Sequence, residues 1–281
     1  MATWETFASR FIVEARLEAV TALRVGAGGD EAAQPASSDL PVLVGPDDRP
    51  FIPGSSLRGV LRSHVERIVR VLEPTAGNGR GACNPVVESE WCITNDQMTD
   101  LKKDAEGLER QHQVNSGHRW LAEQVWKRSC RVCRTFGSTW LASRVRIADL
   151  PLSDGSDGHI ERRDAVSIHR EKETVQNKYD FETVPAGTAF DLHIILENLE
   201  PAERGLVWLG LRELMDGHIL LGGFKGRGLG RAKLTDVRLS GLDEGDRQAL
   251  KRYILHRTLN IVSVEDADRW LEKLWEELEA N

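Results

Sequence analysis

Periodic segments in the order strand, helix, strand, strand, helix, strand predict an α+β domain of ferredoxin-like topology. Two further observations bound that fold. The chain has 281 residues, 40% hydrophobic and 29% charged, enough to bury roughly three quarters of its extended surface without covalent staples. The stretches after the first strand, the first helix and the second strand are too long for ordinary connections, and loops of that length usually carry function or lack structure. Collagen-like, disordered and membrane classes are excluded, because no uncharged apolar run reaches the ~18 residues a bilayer needs. The start, Met-Ala-Thr-Trp-Glu-Thr, has no basic cap or apolar run, so a cytoplasmic location is expected.

Residues 11–23 place Phe11, Val13, Ala15, Leu17 and Ala19 on one face and Glu14, Arg16 and Glu18 on the other, the period of a half-buried first strand. Residues 26–50 carry turn residues and read as a long loop. Ser55 or Ser56 is placed to cap a helix whose apolar positions Leu57, Val60, Leu61, Val65, Ile68, Val69 and Leu72 recur every three or four residues until Pro74 stops it. Residues 73–143 read as an irregular insertion. Residues 144–150 form a short second strand, and 151–187, polar and poor in apolar residues, read as an exposed insertion. A third strand over 188–197 alternates Phe190, Leu192, Ile194 and Leu196 with polar partners. A helix follows over 203–216, ended by Gly217. The last strand is expected at 219–221 and again over 231–239, interrupted by a glycine-rich segment. Ser263 and Asp266 resemble a capping box before the stripe Trp270, Leu271, Leu274, Trp275 and Leu278, so the tail is helical. The division expected is one domain over 1–239, with insertions 73–143 and 151–187, and a helical segment 240–281.

Subtracting 44 acidic from 37 basic residues leaves a net charge of −7. That excludes a whole-surface nucleic-acid coat but leaves room for a local basic groove. Three motifs stand out. Cys83, Cys92, Cys130 and Cys133 are the only cysteines; their clustering suits a tetrahedral, structural Zn2+ site with no open position, and the Cys130-x2-Cys133 knuckle is its most specific part. Four unrelated buried thiols are the plain alternative, and His112 or His118 could replace one Cys. In residues 222–231 (Gly-Gly-Phe-Lys-Gly-Arg-Gly-Leu-Gly-Arg) the cations Lys225, Arg227 and Arg231 are interleaved with glycines that would let backbone N–H groups approach a phosphate. The segment is neither a Walker loop nor a dinucleotide fingerprint, and a simple hairpin turn would need neither the cations nor so many glycines. Residues 51–62, Phe-Ile-Pro-Gly-Ser-Ser-Leu-Arg-Gly-Val-Leu-Arg, set hydroxyls and N–H groups at a helix start with Arg58 and Arg62 on one face. This is a second anion seat, or simply a capped amphipathic helix with solvated arginines.

The Pro-Gly-Ser-Ser-Leu-Arg-Gly turn, Cys-Arg-Thr-Phe136-Gly137 and the glycine-cation segment, in that order over about residues 11–239, closely resemble the RAMP superfamily. They are most similar to the backbone subunits of type III CRISPR effector complexes that cleave target RNA. The resemblance implies an RRM-like palm that binds guide RNA (crRNA), copies stacked into a filament with other subunits of the complex, and a thumb that splays one base at intervals. By resemblance the thumb lies within 160–187, around Ser167-Ile-His169-Arg170 and Tyr179-Asp-Phe181. The set implied to contact RNA is Ser55, Ser56, Arg58, Arg62, Phe136, His169, Arg170, Lys225, Arg227 and Arg231. The cleaving acid of such subunits lies in an Asp-x-Pro-Val pattern, which Asp39-Leu40-Pro41-Val42 matches; Asp47 and Asp48 are weaker candidates.

A carboxylate is a poor general base at neutral pH, so Mg2+ or another divalent ion is expected to assist attack of the 2′-OH on the adjacent phosphate. The activity so implied is that of a metal-dependent endoribonuclease. Two other classes stay open: a catalytically silent guide-RNA scaffold, and a guide-processing nuclease using His64, His118 or His169 as acid or base.

Overall fold

The computed structural model describes residues 5–26, 38–111 and 116–280. In chain order the elements are β1 (Arg10–Ala19), α1 (Gly54–Leu72), α2 (Asn95–Gln111), α3 (Ser116–Arg128), α4 (Arg131–Phe136), β2 (Val145–Ile147), β3 (Glu161–Ile168), β4 (Val175–Thr183), β5 (Ala189–Glu197), α5 (Pro201–Met215), β6 (Ala232–Leu242), α6 (Arg247–His256), β7 (Asn260–Val262) and α7 (Val264–Glu279). The main sheet runs β2-β5-β1-β6-β7 and every pairing is antiparallel. Without β7, that order is the ferredoxin-like arrangement the sequence predicts, with the β3–β4 hairpin inserted between the second and third strands of the motif.

Alternation in β1 decides where the core lies. Phe11, Val13, Ala15 and Leu17 are buried while Glu14 and Arg16 are exposed, so one face of the sheet takes the helices and the other stays open. On the covered face, Leu57, Leu61, Val65 and Val69 of α1 meet Leu206, Trp208, Leu211 and Leu214 of α5. Each fully buried aliphatic or aromatic side chain contributes about 1.5–3 kcal/mol relative to exposure. The chain's end joins the same core: α7 packs on α5, where a Cβ at Gly205 would sit 2.1 Å from the Trp270 carbonyl oxygen. Ser263 Oγ accepts from the Asp266 N–H at 3.0 Å and starts α7.

Several boundaries differ from expectation for identifiable reasons. β1 stops at Ala19, and Leu23 forms only an isolated bridge to Val184. Neither Ser55 nor Ser56 caps α1. The cap residue is Pro53, which offers no side-chain bond, and the Gly54 N–H donates to Asp149 Oδ1 at 2.9 Å instead. The helix over 203–216 begins two residues early, because Glu200 and Glu203 form a reciprocal capping box ahead of Pro201. The stretch before the glycines is no piece of β6: Leu220 bridges back onto Arg231, so 222–229 closes a hairpin-like loop. Insertion 73–143 is not irregular. It holds α2, α3 and α4, and Ile93, Met98, Leu101 and Val125 form its own small core. Insertion 151–187 carries the long β3–β4 hairpin, and part of the expected loop over 26–50 lies outside the described residues. No described helix is long and apolar enough to cross a membrane.

Candidate metal centre and nucleic-acid interface

The four cysteines meet at the junction of the insertion with α1. Their sulfurs all lie within 4.8 Å of one another, and Cys83 and Cys133 Sγ are 3.4 Å apart. A tetrahedral ion with metal–sulfur bonds of about 2.3 Å has sulfur–sulfur edges of about 3.8 Å, so four sulfurs at this spacing could hold one metal ion. The knuckle is prepared by backbone: the Cys133 N–H points to Cys130 Sγ at 3.4 Å and the Cys130 N–H to Cys92 Sγ at 3.2 Å. Thiol hydrogen bonds from Cys133, Cys83 and Cys92 hold Cys130 far below the usual thiol range, while Cys133 and Cys92 are pushed up. His118 sits exposed on α3 beside Glu109 at 3.4 Å and is no part of the cage; His112 lies outside the described residues. Buried Arg131 ties the knuckle helix to the palm, pairing bidentately with Glu73 at 2.9 and 3.0 Å and reaching Glu277 of α7 at 2.5 Å.

Three residues expected at RNA belong structurally to this region. Phe136 is 0% exposed and is a core residue, so its ring presents no face to a base. Arg62 bonds Glu66 at 2.7 Å, the Gly137 carbonyl at 2.8 Å and Cys133 Sγ at 3.5 Å. Arg58 donates to the Phe136 carbonyl, and burial followed by the neighbouring Arg62 pulls it below the usual guanidinium range. Both arginines line a cleft of about 230 Å³ beside Trp91 and Trp140, with Cys83, Cys92 and Cys133 in its wall. Gly54 is required by packing: a Cβ there would lie 2.2 Å from the Ile147 carbonyl oxygen. With Asp149 on the Gly54 N–H, the helix start already holds a carboxylate. Ser55 is exposed and Ser56 half-buried in the first turn.

The glycine-cation loop sits where β1 leaves the sheet and β6 enters, since Ala19 pairs with Ala232. Its glycines divide into two kinds. Cβ atoms at Gly222 and Gly230 would strike the Arg24 and Leu221 carbonyl oxygens at 2.2 and 2.5 Å, whereas Gly226 and Gly228 have nothing within 4 Å. The first pair shapes the loop, and the second leaves its outer backbone bare. Lys225, Arg227 and Arg231 are exposed and make no ion pair among the described residues. Phe224, in the left-handed region at φ 57°, lies between the Arg24 and Arg227 guanidiniums at 5.2 and 4.7 Å and meets Phe181 edge-on at 4.8 Å. Arg227 also donates to the Tyr179 hydroxyl.

Asp39 joins this end of the molecule, exposed, on a segment stitched to β4. Its N–H donates to Asp180 Oδ1 at 2.7 Å and its Oδ2 accepts from the Asp180 N–H at 3.1 Å. The Asp39 N–H and then Arg162 hold the Asp180 carboxyl below the usual carboxylate range, against its burial. Asp47 and Asp48, nearer the turn, are exposed and show no contact with this cluster. His169 and Arg170 lie at the far tip of the hairpin, about 25 Å from its root at 3.3 Å per residue. There His169 N–H bonds the Thr174 carbonyl at 2.9 Å.

Asp39, the glycine loop and the hairpin root are thus brought together. The serine turn shares their end of the sheet, because α1 begins against the exit of β2, which runs parallel to β1. Residues 38–52 connect the two, but Arg58, Arg62 and Phe136 face the cysteine side. Sequence reasoning passed over Arg162 and Arg24, and it named Asp180 and Phe224 only as members of the Tyr-Asp-Phe and glycine-cation segments, with no role of their own.

The ferredoxin-like sheet, its inserted hairpin and a basic glycine loop at the β1 exit define an α+β palm of RNA-binding type. The profile of the RAMP superfamily matches residues 16–233, and the chain belongs to that superfamily, whose members work in CRISPR RNA–protein complexes. None of the curated proteins matches it.

Proposed function

We propose that this chain is a backbone subunit of a type III CRISPR ribonucleoprotein that binds guide RNA and cleaves complementary target RNA beside Asp39. The reading rests above all on one observation: the loop that carries exposed Lys225, Arg227 and Arg231, without an ion pair among the described residues, packs through Phe224 and Leu229 against Leu40, beside Asp39, and against Tyr179 and Phe181 at the root of a protruding hairpin. The cations and free loop amides neutralise and seat the sugar–phosphate backbone of the guide. Sequence choice is left to base pairing. The hairpin, with its tip His169 and Arg170, separates a base from the guide–target duplex and turns the target's kinked nucleotide towards in-line geometry.

Asp39 Oδ2 accepts from the Asp180 N–H, and the exposed Asp39 carboxylate is the group offered to a divalent ion. When bound, Mg2+ supplies Lewis-acid stabilisation of charge on the phosphate and leaving oxygen. The cysteine cage is proposed to hold structural Zn2+. Partners are guide RNA, target RNA, other subunits of the complex and further copies of this chain in a filament.

The test is Asp39→Ala in the assembled complex. Cutting of a labelled target is expected to fall about a hundredfold or more, with target binding unchanged. Cutting at the parental rate by that variant would place the chemistry elsewhere. Cutting that survives EDTA would favour a histidine nuclease, and a parent complex that never cuts would leave the scaffold role.

A further inference from the structure

Residues 38–42 do not merely pass near the hairpin. Over four residues they make four hydrogen bonds to it: Asp39 N–H to Asp180 Oδ1, Asp180 N–H to Asp39 Oδ2, Glu182 N–H to the Leu40 carbonyl at 3.0 Å, and Val42 N–H to Glu182 Oε2 at 3.0 Å. Two of the four run through carboxylates of β4, so the register of the segment depends on side chains. Asp180 and Glu182 are buried. Asp180 is held from behind by Arg162 on the neighbouring strand, and its cross-strand partner Asp164 is occupied by Lys178 at 3.2 Å. A buried carboxylate with one oxygen accepting from the Asp39 N–H and the other facing the Arg162 guanidinium is placed to position its partners.

We propose that Asp180 and Arg162 are positioning residues that latch the hairpin to the Asp39 segment, so that a displaced base at the hairpin and the cutting acid move as one unit. The inference rests on the reading of Asp39 as the cleaving acid. Asp180 aims Asp39: it fixes the amide of that residue and, through its own N–H, one carboxylate oxygen of an exposed side chain. Arg162 keeps Asp180 ionised and correctly turned. A hairpin seated on its RNA would then hold the acid in place, and a hairpin out of register would carry it away.

The experiment compares Asp180→Ala, Asp180→Asn and Arg162→Gln with Asp39→Ala in the full complex. Four readouts are taken: cutting rate, Mg2+ concentration at half-maximal rate, guide-RNA binding, and hydrogen exchange at residues 38–42. Asp180→Ala is expected to slow cutting at least about tenfold, raise the Mg2+ requirement and speed exchange of the Asp39 amide, with guide binding unchanged. Asp180→Asn is expected to recover most of the loss, because its amide oxygen still accepts from the Asp39 N–H. Arg162→Gln, which leaves both strands' bonding intact, gives a smaller loss of the same kind and keeps the test open if the alanine variant folds poorly. A dead Asp39→Ala beside Asp180→Ala cutting within twofold of the parent overturns the latch alone. Equal losses in the alanine and asparagine variants also overturn it, since charge and not the bond would then matter. Normal cutting by Asp39→Ala removes the underlying reading, and the latch with it.

Discussion

The cysteine insertion and the glycine loop handle charge in opposite ways. Around the cysteines, several buried or half-buried cations are answered by carboxylates of the chain: Arg131 by Glu73 and Glu277, Arg62 by Glu66, Arg144 by Glu203. At the glycine loop Lys225, Arg227 and Arg231 stand exposed with no ion pair among the described residues. Burying an ion is expensive unless it is paired, so the first region can be dry and rigid. Exposed cations are hydrated and need no partner, so a cluster of them on bare glycine backbone stays available to an outside anion. The net charge of −7 sharpens the contrast, since the acidic surplus is spent elsewhere on the molecule.

The cysteine side can be broken most severely. Cys130→Ser removes one of the four sulfurs that lie within 4.8 Å of one another. Loss of bound metal is expected, with a destabilisation of about 4 kcal/mol and hence about 10 °C in melting temperature. Metal analysis and thermal unfolding read this together; a parent free of metal with an unchanged melting point in the variant would reduce the cage to four packed thiols. Next in size is Arg131→Met, which strands the buried Glu73 carboxylate and should cost about 3 kcal/mol. Burial alone would push Glu73 up, but Arg131 and the Gly81 N–H at 2.7 Å outweigh it and leave the carboxyl below its usual range. A lowered carboxylate stabilises the fold above its unfolded value, near 4.3, and that stabilisation is lost as pH falls through the lower folded value. Denaturation of the parent below about pH 4 should therefore be steeper than that of Arg131→Met. Equal acid slopes would separate Glu73 from the stability of this region.

How far the two regions were legible in sequence follows from the same contrast. The palm announced itself because one-sided burial imposes alternation on β1 and β5 and a three-to-four repeat on α1. In α2 the same repeat, Met98, Leu101 and Ala105, is masked by a strongly charged solvent face. The hairpin was missed because both its faces are largely solvated, so β3 has no alternation to read. Phe136 was assigned to RNA with its motif although its neighbours Val132 and Cys133 already marked a buried turn of helix. The Asp39–Asp180 pairing joins residues separated by 141 positions, and nothing local in either segment encodes it.

On the glycine-loop side the expected effects are smaller and concern binding. Lys225→Ala and Arg227→Ala should each weaken guide-RNA binding and each lower the slope of log affinity against log salt by about 0.7 to 1, the contribution of one phosphate contact. Unchanged slopes would mean that these cations face solvent or a protein neighbour. The smallest change tests how Arg227 is aimed. Its guanidinium stacks on Phe224 and donates to the Tyr179 hydroxyl, so Tyr179→Phe removes one hydrogen bond while leaving ring, charge and fold in place. Affinity should fall only about twofold to fivefold, the size of a single net hydrogen bond, and the salt slope should stay at the parental value because no charge is lost. If Tyr179→Phe instead flattened the slope as much as Arg227→Ala, the cation would depend wholly on the hairpin for its position, and the division between a self-sufficient loop and an attached thumb would have to be redrawn as one binding unit.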